Sequence, residues 1–219
     1  ATAFFNLGNA LRARRERWSE AARAYRRALE LEPTLDQAGI ALATTLFEAE
    51  QHAEAIGPLS AACAKRPDDG QMVARLVQSL LACGRQQEAA DLARQHRERH
   101  PGEVSAERLV AVTALYGGDA HGAREALAAA LRLAPNDAAA RNALAMLLLA
   151  NGEFAEGWDA YEARLELPDS PPPPRTGAPC WNGEPLRDRV LLVTAEQGLG
   201  DEIMFASIVP EVAASARHC

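Results

Sequence analysis

Proline recurs along this chain at a fixed interval, and that interval limits the fold more than any other feature. Pro33, Pro67, Pro101 and Pro135 are each 34 residues apart, and Pro168 follows after 33. Proline lacks a backbone N–H and clashes with the preceding turn, so it ends a helix rather than continuing one. A repeat of 34 residues closed by proline fits a helix–turn–helix unit stacked on copies of itself. Other positions keep the same register. Leu7, Leu42, Leu76, Val110 and Leu144 supply a large apolar residue in each first helix. Ala21, Ala55, Ala89, Ala123 and Gly157 supply a small one in each second helix. Antiparallel helices come close only where side chains are small, so this second set fixes where they cross.

Turn chemistry agrees with the period. Gly84, Gly118 and Gly152 fall just past three of the first helices, where a left-handed cap favours glycine. Asp68 and Asp69, and Asn136 and Asp137, follow prolines and supply N-caps for the next helix. The first unit holds one extra residue near Arg15, which brings Trp18 to the aromatic turn position. Trp18, Tyr25, Trp158 and Tyr161 are expected in the repeat core. The fold class is therefore all-α, a solenoid of about five units followed by a short α/β segment. The expected units are residues 1–35, 36–69, 70–103, 104–137 and 138–167.

The stretch Phe4-Phe5-Asn6-Leu7-Gly8-Asn9-Ala10, with Ala21, Tyr25, Ala28 and Pro33, resembles the tetratricopeptide repeat consensus, and the likeness extends over residues 1–167. That resemblance implies a superhelix whose first helices line a concave, peptide-binding groove. By the same analogy the groove is lined by Thr2, Phe5, Asn9, Arg12, Gln37, Thr44, Phe47, Glu48, Gln71, Arg75 and Gln78 in its N-terminal half. Arg108, Val112, Leu115, Tyr116, Asn142, Met146 and Leu149 line the C-terminal half, which is more apolar. The carboxylate clamp of some members is incomplete, since Phe5 and Ala41 stand where lysine and asparagine are expected.

The helical period stops at Leu167. The run from Pro168 to Pro174 reads as a polyproline spacer within a linker over residues 168–189. Arg189–Thr194 is a short apolar run of strand formers, as in a buried parallel strand. Glu196–Asp201 follows as a glycine-rich loop, and Glu202–Val209 reads as a helix with Asp201 as N-cap and Pro210 as a kink. A strand, a glycine loop and a helix N-terminus together offer backbone amides to an anion. Gly198 and Gly200 begin a dinucleotide fingerprint, but Ile203 stands where its third glycine belongs.

The series Gly157–Arg164, Trp181–Leu186, Glu196–Asp201 and Phe205 resembles bacterial proteins in which such repeats precede a heptosyltransferase-like glycosyltransferase domain. The resemblance implies a nucleotide-sugar substrate held near Gly198 and Gly200, with Asp201 as general base toward the acceptor hydroxyl. Val190–Cys219 has room for one strand and one helix, whereas a transferase needs a second domain for its donor. The chain itself is thus expected to be a non-catalytic protein-interaction scaffold, a fragment of a larger enzyme. The alternative is a free-standing adaptor that binds a peptide in its groove.

Bulk properties narrow the partners further. There are 23 basic against 30 acidic side chains, a net charge of −7, which opposes phosphate backbones and argues against nucleic acid. Cys63, Cys83, Cys180 and Cys219 lie far apart with no CxxC pair, which suits buried thiols in a reducing compartment, and a cytoplasmic protein is expected. No segment reaches the ~20 apolar residues of a membrane span. His96 and His100 share one helix face, but Arg97 and Arg99 beside them oppose a metal ion, so neither a metal nor a resident cofactor is expected. Oligomeric state leaves no mark in the sequence.

Overall fold

The computed structural model describes residues 1–168, 170, 177, 179, 181–186, 188–193 and 206–219. Ten α-helices occupy the first compact unit, Ala1–Tyr161, and Glu162–Cys219 forms a second. The helices pair in sequence as first and second members. They are α1 Thr2–Arg12 with α2 Trp18–Leu31, α3 Asp36–Glu48 with α4 His52–Lys65, and α5 Gly70–Ala82 with α6 Gln86–Arg99. Then come α7 Val104–Tyr116 with α8 Ala120–Leu133, and α9 Ala138–Ala150 with α10 Phe154–Tyr161. Each helix packs on the next along the chain, and α1 also touches α3 as α5 touches α7. The first helices therefore converge on the inner side of the curve. The fold is an all-α repeat solenoid.

The small-residue stripe explains the crossings. Ala21, Ala55, Ala89 and Ala123 are fully buried, and Gly157 is buried with them. Larger side chains fill the space on either side. Tyr25, Leu46 and Leu59 have no exposed surface, and burying a side chain of this size contributes roughly 1.5–3 kcal/mol. The extra residue of the first unit is absorbed in a 3-10 turn at Arg15–Arg17. Trp18 begins α2 right after it, half-buried, with its Nε1 donating to the Arg12 carbonyl at 3.1 Å.

Caps follow the expected chemistry in part. Asp69 accepts from the Met72 amide at 3.1 Å and Asp137 from the Ala140 amide at 2.7 Å, while Asp119 caps α8 through Gly122 at 2.8 Å. Gly84, Gly118 and Gly152 adopt φ of 73°, 76° and 81°. In the second repeat that same left-handed position is filled by Glu50, with φ 58°.

Three expectations for the repeats are corrected. Leu7 is 48% exposed, although its register mates Leu42 and Leu76 are buried. Trp158 is also 48% exposed, so it is not a core residue; its ring meets Tyr161 edge-on at 5.7 Å. And α10 ends at Tyr161, with Glu162–Glu166 wound as a tighter 3-10 helix ahead of Pro168.

In the second compact unit the expected strand is not formed among the described residues. Val190 makes one parallel bridge, to His218. Leu191 N–H donates to the His218 carbonyl at 2.9 Å, and Arg217 N–H to the Arg189 carbonyl at 3.0 Å. Val190, Leu192 and Val193 are half or more exposed, since no sheet partner among the described residues covers them. Pro210 does not kink a helix. It sits in the first turn of α11, Val209–Ala214, where a missing N–H costs nothing. Gly198, Gly200 and Asp201, with the loop and helix start expected there, lie outside the described residues.

Candidate protein-binding groove

The inner side of the solenoid is built from the first helices, and its N-terminal half is tied together from below. Tyr25, fully buried on α2, packs against Phe5 with ring centroids 5.9 Å apart. Its hydroxyl donates to Asn9 Oδ1 at 2.8 Å, which leaves the Asn9 amide hydrogens for a ligand. Burial raises the Tyr25 pKa above the usual phenol value, so the hydroxyl stays protonated as this donor. One turn along, Arg12 Nη2 reaches both Glu48 oxygens, at 2.8 and 2.9 Å, and links the first two units across the groove.

Further along, Arg75 lies over the Phe47 ring at 5.8 Å and donates to Thr44 Oγ1 at 3.4 Å. Thr44 is therefore buried at 6% exposure instead of lining the open groove as expected. Arg75 has no carboxylate within ion-pair distance among the described residues, unlike Arg12 and Arg108. Arg108 pairs with Asp137 at 3.4 Å. Gln37, Gln71 and Gln78 are exposed.

The C-terminal half is apolar and open. Val112 and Leu115 are each 37% exposed, Met146 59% and Tyr116 62%. Asn142 is half-buried, and its Oδ1 is buried without a partner. Leu149 faces the other way. A Cβ on Gly157 would fall 2.8 Å from its Cδ2, so Leu149 packs against α10 and leaves the groove set.

The histidine pair at the end of α6 packs into the repeat array. His96 is 1% exposed and neither ring nitrogen has a hydrogen-bond partner. Its ring meets that of His100 at 4.6 Å, with Glu103 at 4.0 Å and with Asp68 3.2 Å from His100. Among the described residues no three metal-binding side chains converge on one point. Cys63 is buried, and burial pushes its thiol up to about 11, which removes it as a nucleophile at neutral pH.

Paired helices at a 34-residue period, with an inner face of polar and apolar side chains, define a helical-repeat binding protein. The chain matches the tetratricopeptide repeat family over residues 40–104 and 111–171, and it belongs to that family. It is 47% identical to Protein FlbA of Caulobacter vibrioides over 72 residues, which are 32% of this chain and 12% of FlbA. Solved structures of the same fold include MamA, at 18% identity with TM-score 0.60 over 73% of this chain and 92% of that one. The thermophilic tetratricopeptide protein TTC0263 of Thermus thermophilus gives 22% and 0.57 over 75% and 90%. YrrB, a tetratricopeptide protein described as having an unusual peptide-binding site, gives 17% and 0.55 over 74% and 84%.

Proposed function

We propose that this chain is a protein-interaction scaffold whose inner groove takes up an extended segment of a partner protein. The observation that carries this reading is the exposed apolar set Val112, Leu115, Tyr116 and Met146 on the first helices α7 and α9. Exposed apolar side chains gathered on one face mark interaction sites. Arg75 and Asn9, both with donors to spare, add polar anchors upstream. In this reading the repeat array is not catalytic and needs no cofactor, and no described helix is long and apolar enough to cross a membrane. Free thiols at Cys63, Cys83 and Cys219 support a cytoplasmic setting.

The finer part of the proposal is that the array serves a bacterial heptosyltransferase-like glycosyltransferase, holding its protein acceptor. That rests on the likeness of the segment after Gly157, with Asp201 as general base and Gly198 and Gly200 at the nucleotide-sugar phosphates. Two experiments separate the two levels. A photo-crosslinking amino acid at Tyr116, compared with one at Glu98 on α6, should capture a partner in cells from the groove position alone. Equal capture from both positions would remove the groove from the reading. Asp201→Ala in the longest natural gene product should abolish transfer from a nucleotide-sugar donor while sparing that capture, and full transfer would reject the catalytic assignment.

A further inference from the structure

A cleft of about 290 Å³ opens between the end of α2, the start of α3 and the second half of α4, and it shares no residue with the inner groove. Gly39 lines it without contributing a side chain. Gly39 occupies the first-helix register that Phe4, Val73, Glu107 and Arg141 fill in the other units. A Cβ added at Gly39 would meet nothing within 4 Å. Pro58, inside α4, contributes to the wall, with Leu29, Ile40, Leu42 and Ala61 completing an apolar lining. The volume is at the lower end of the roughly 300–1,000 Å³ typical of small-molecule sites, so it suits one side chain rather than a large ligand.

The mouth is charged, and unevenly. Lys65 and Asp36 neutralise each other in an ion pair across it. Arg66 stands beside them, exposed, with no carboxylate at ion-pair distance among the described residues. One net positive charge thus overlooks an apolar hole.

We propose that this cleft is a second docking site, taking a partner peptide that inserts one bulky apolar side chain and sets a neighbouring carboxylate against Arg66. The site is independent of the groove, so either can fail without the other. The probe is a fluorescein-labelled Gly-Ser-Glu-Phe-Glu-Ser amide, followed by anisotropy and by amide shifts of the protein. Shifts should concentrate at Gly39, Ile40, Ala61 and Arg66. Gly39→Leu fills the hole from a position with open space, so it should keep the melting temperature while weakening binding about tenfold or more. Arg66→Ala, at an exposed position that leaves the fold alone, should weaken it by up to about fivefold. Arg75→Ala in the groove should change nothing. The proposal is overturned if no binding occurs at millimolar peptide, or if Gly39→Leu binds as the parent does. Equal binding of a peptide with both glutamates replaced by glutamine would also overturn it, as would shifts confined to the groove. A dimer that Gly39→Leu disperses would mean that a second copy, not a peptide, fills the cleft.

Discussion

Gly8 lies so close over the ring of Tyr25 that a Cβ added to it would fall 2.5 Å from Cε1 and 2.8 Å from Cζ. That contact lets α1 settle onto α2 and aims the Tyr25 hydroxyl at Asn9. Gly8→Ala cannot be absorbed by a flexible chain end, because Tyr25 is fully buried. We expect a loss of about 1–3 kcal/mol, the usual cost of overpacking a core, measured by urea denaturation. Anisotropy or crosslinking at the groove should suffer too, since Asn9 loses its support. An unchanged midpoint would show that the ring can slide aside.

The left-handed turn after α3 offers a gain instead of a loss. Glu50, at φ 58°, takes a conformation that glycine adopts in three other units at Gly84, Gly118 and Gly152. A side chain there costs about 1–2 kcal/mol for most residues. Glu50→Gly should therefore raise stability by about 1 kcal/mol, seen as a higher melting temperature. A fall would mean that the glutamate side chain supplies a compensating interaction.

These two sites also show what could be read in advance. The proline ladder and the alanine stripe are local and periodic, so they expose the helix pairs directly. The glycine caps and the Asp69 and Asp137 N-caps are equally local. Burial at Leu7 and Trp158 is not, because it depends on what lies across the helix rather than on the residue's own register. The same is true of the groove. Arg12 and Glu48 meet across 36 positions, and Thr44 disappears beneath Arg75, neither of which a single helix period can reveal. The strand expected at Val190 read as apolar and β-branched, yet a strand takes its stability from neighbours, and the described residues supply a single bridge.

The Arg12–Glu48 pair can be tested as a strut of the groove. Both side chains are about one-third exposed, at 34% and 32%, so solvent weakens the pair without abolishing it. A double-mutant cycle with Arg12→Ala and Glu48→Ala should give a coupling of up to about 1 kcal/mol, shrinking in high salt. A coupling of zero would make the contact incidental to the joining of the first two units.

The buried histidine gives the array a pH dependence with a definite sign. Burial pulls the His96 pKa below the usual imidazole value, and the nearby His100 and Arg99 act in the same direction, while Glu103 and Asp68 oppose them. The folded state therefore holds this ring neutral, whereas the unfolded chain takes up a proton near about pH 6.5. Above that value the ring is neutral in both states and no stability is lost. As the pH falls through about 6.5 the unfolded state gains protons first, and stability drops until the lowered folded pKa is passed. His96→Leu removes this proton uptake and two unpartnered buried nitrogens, each of which costs about 1–3 kcal/mol when left unsatisfied. The variant should melt higher than the parent at pH 7.5, and the gap should widen between pH 7 and pH 5. A gap that stays constant or narrows over that interval would show that His96 is not the group that titrates on unfolding.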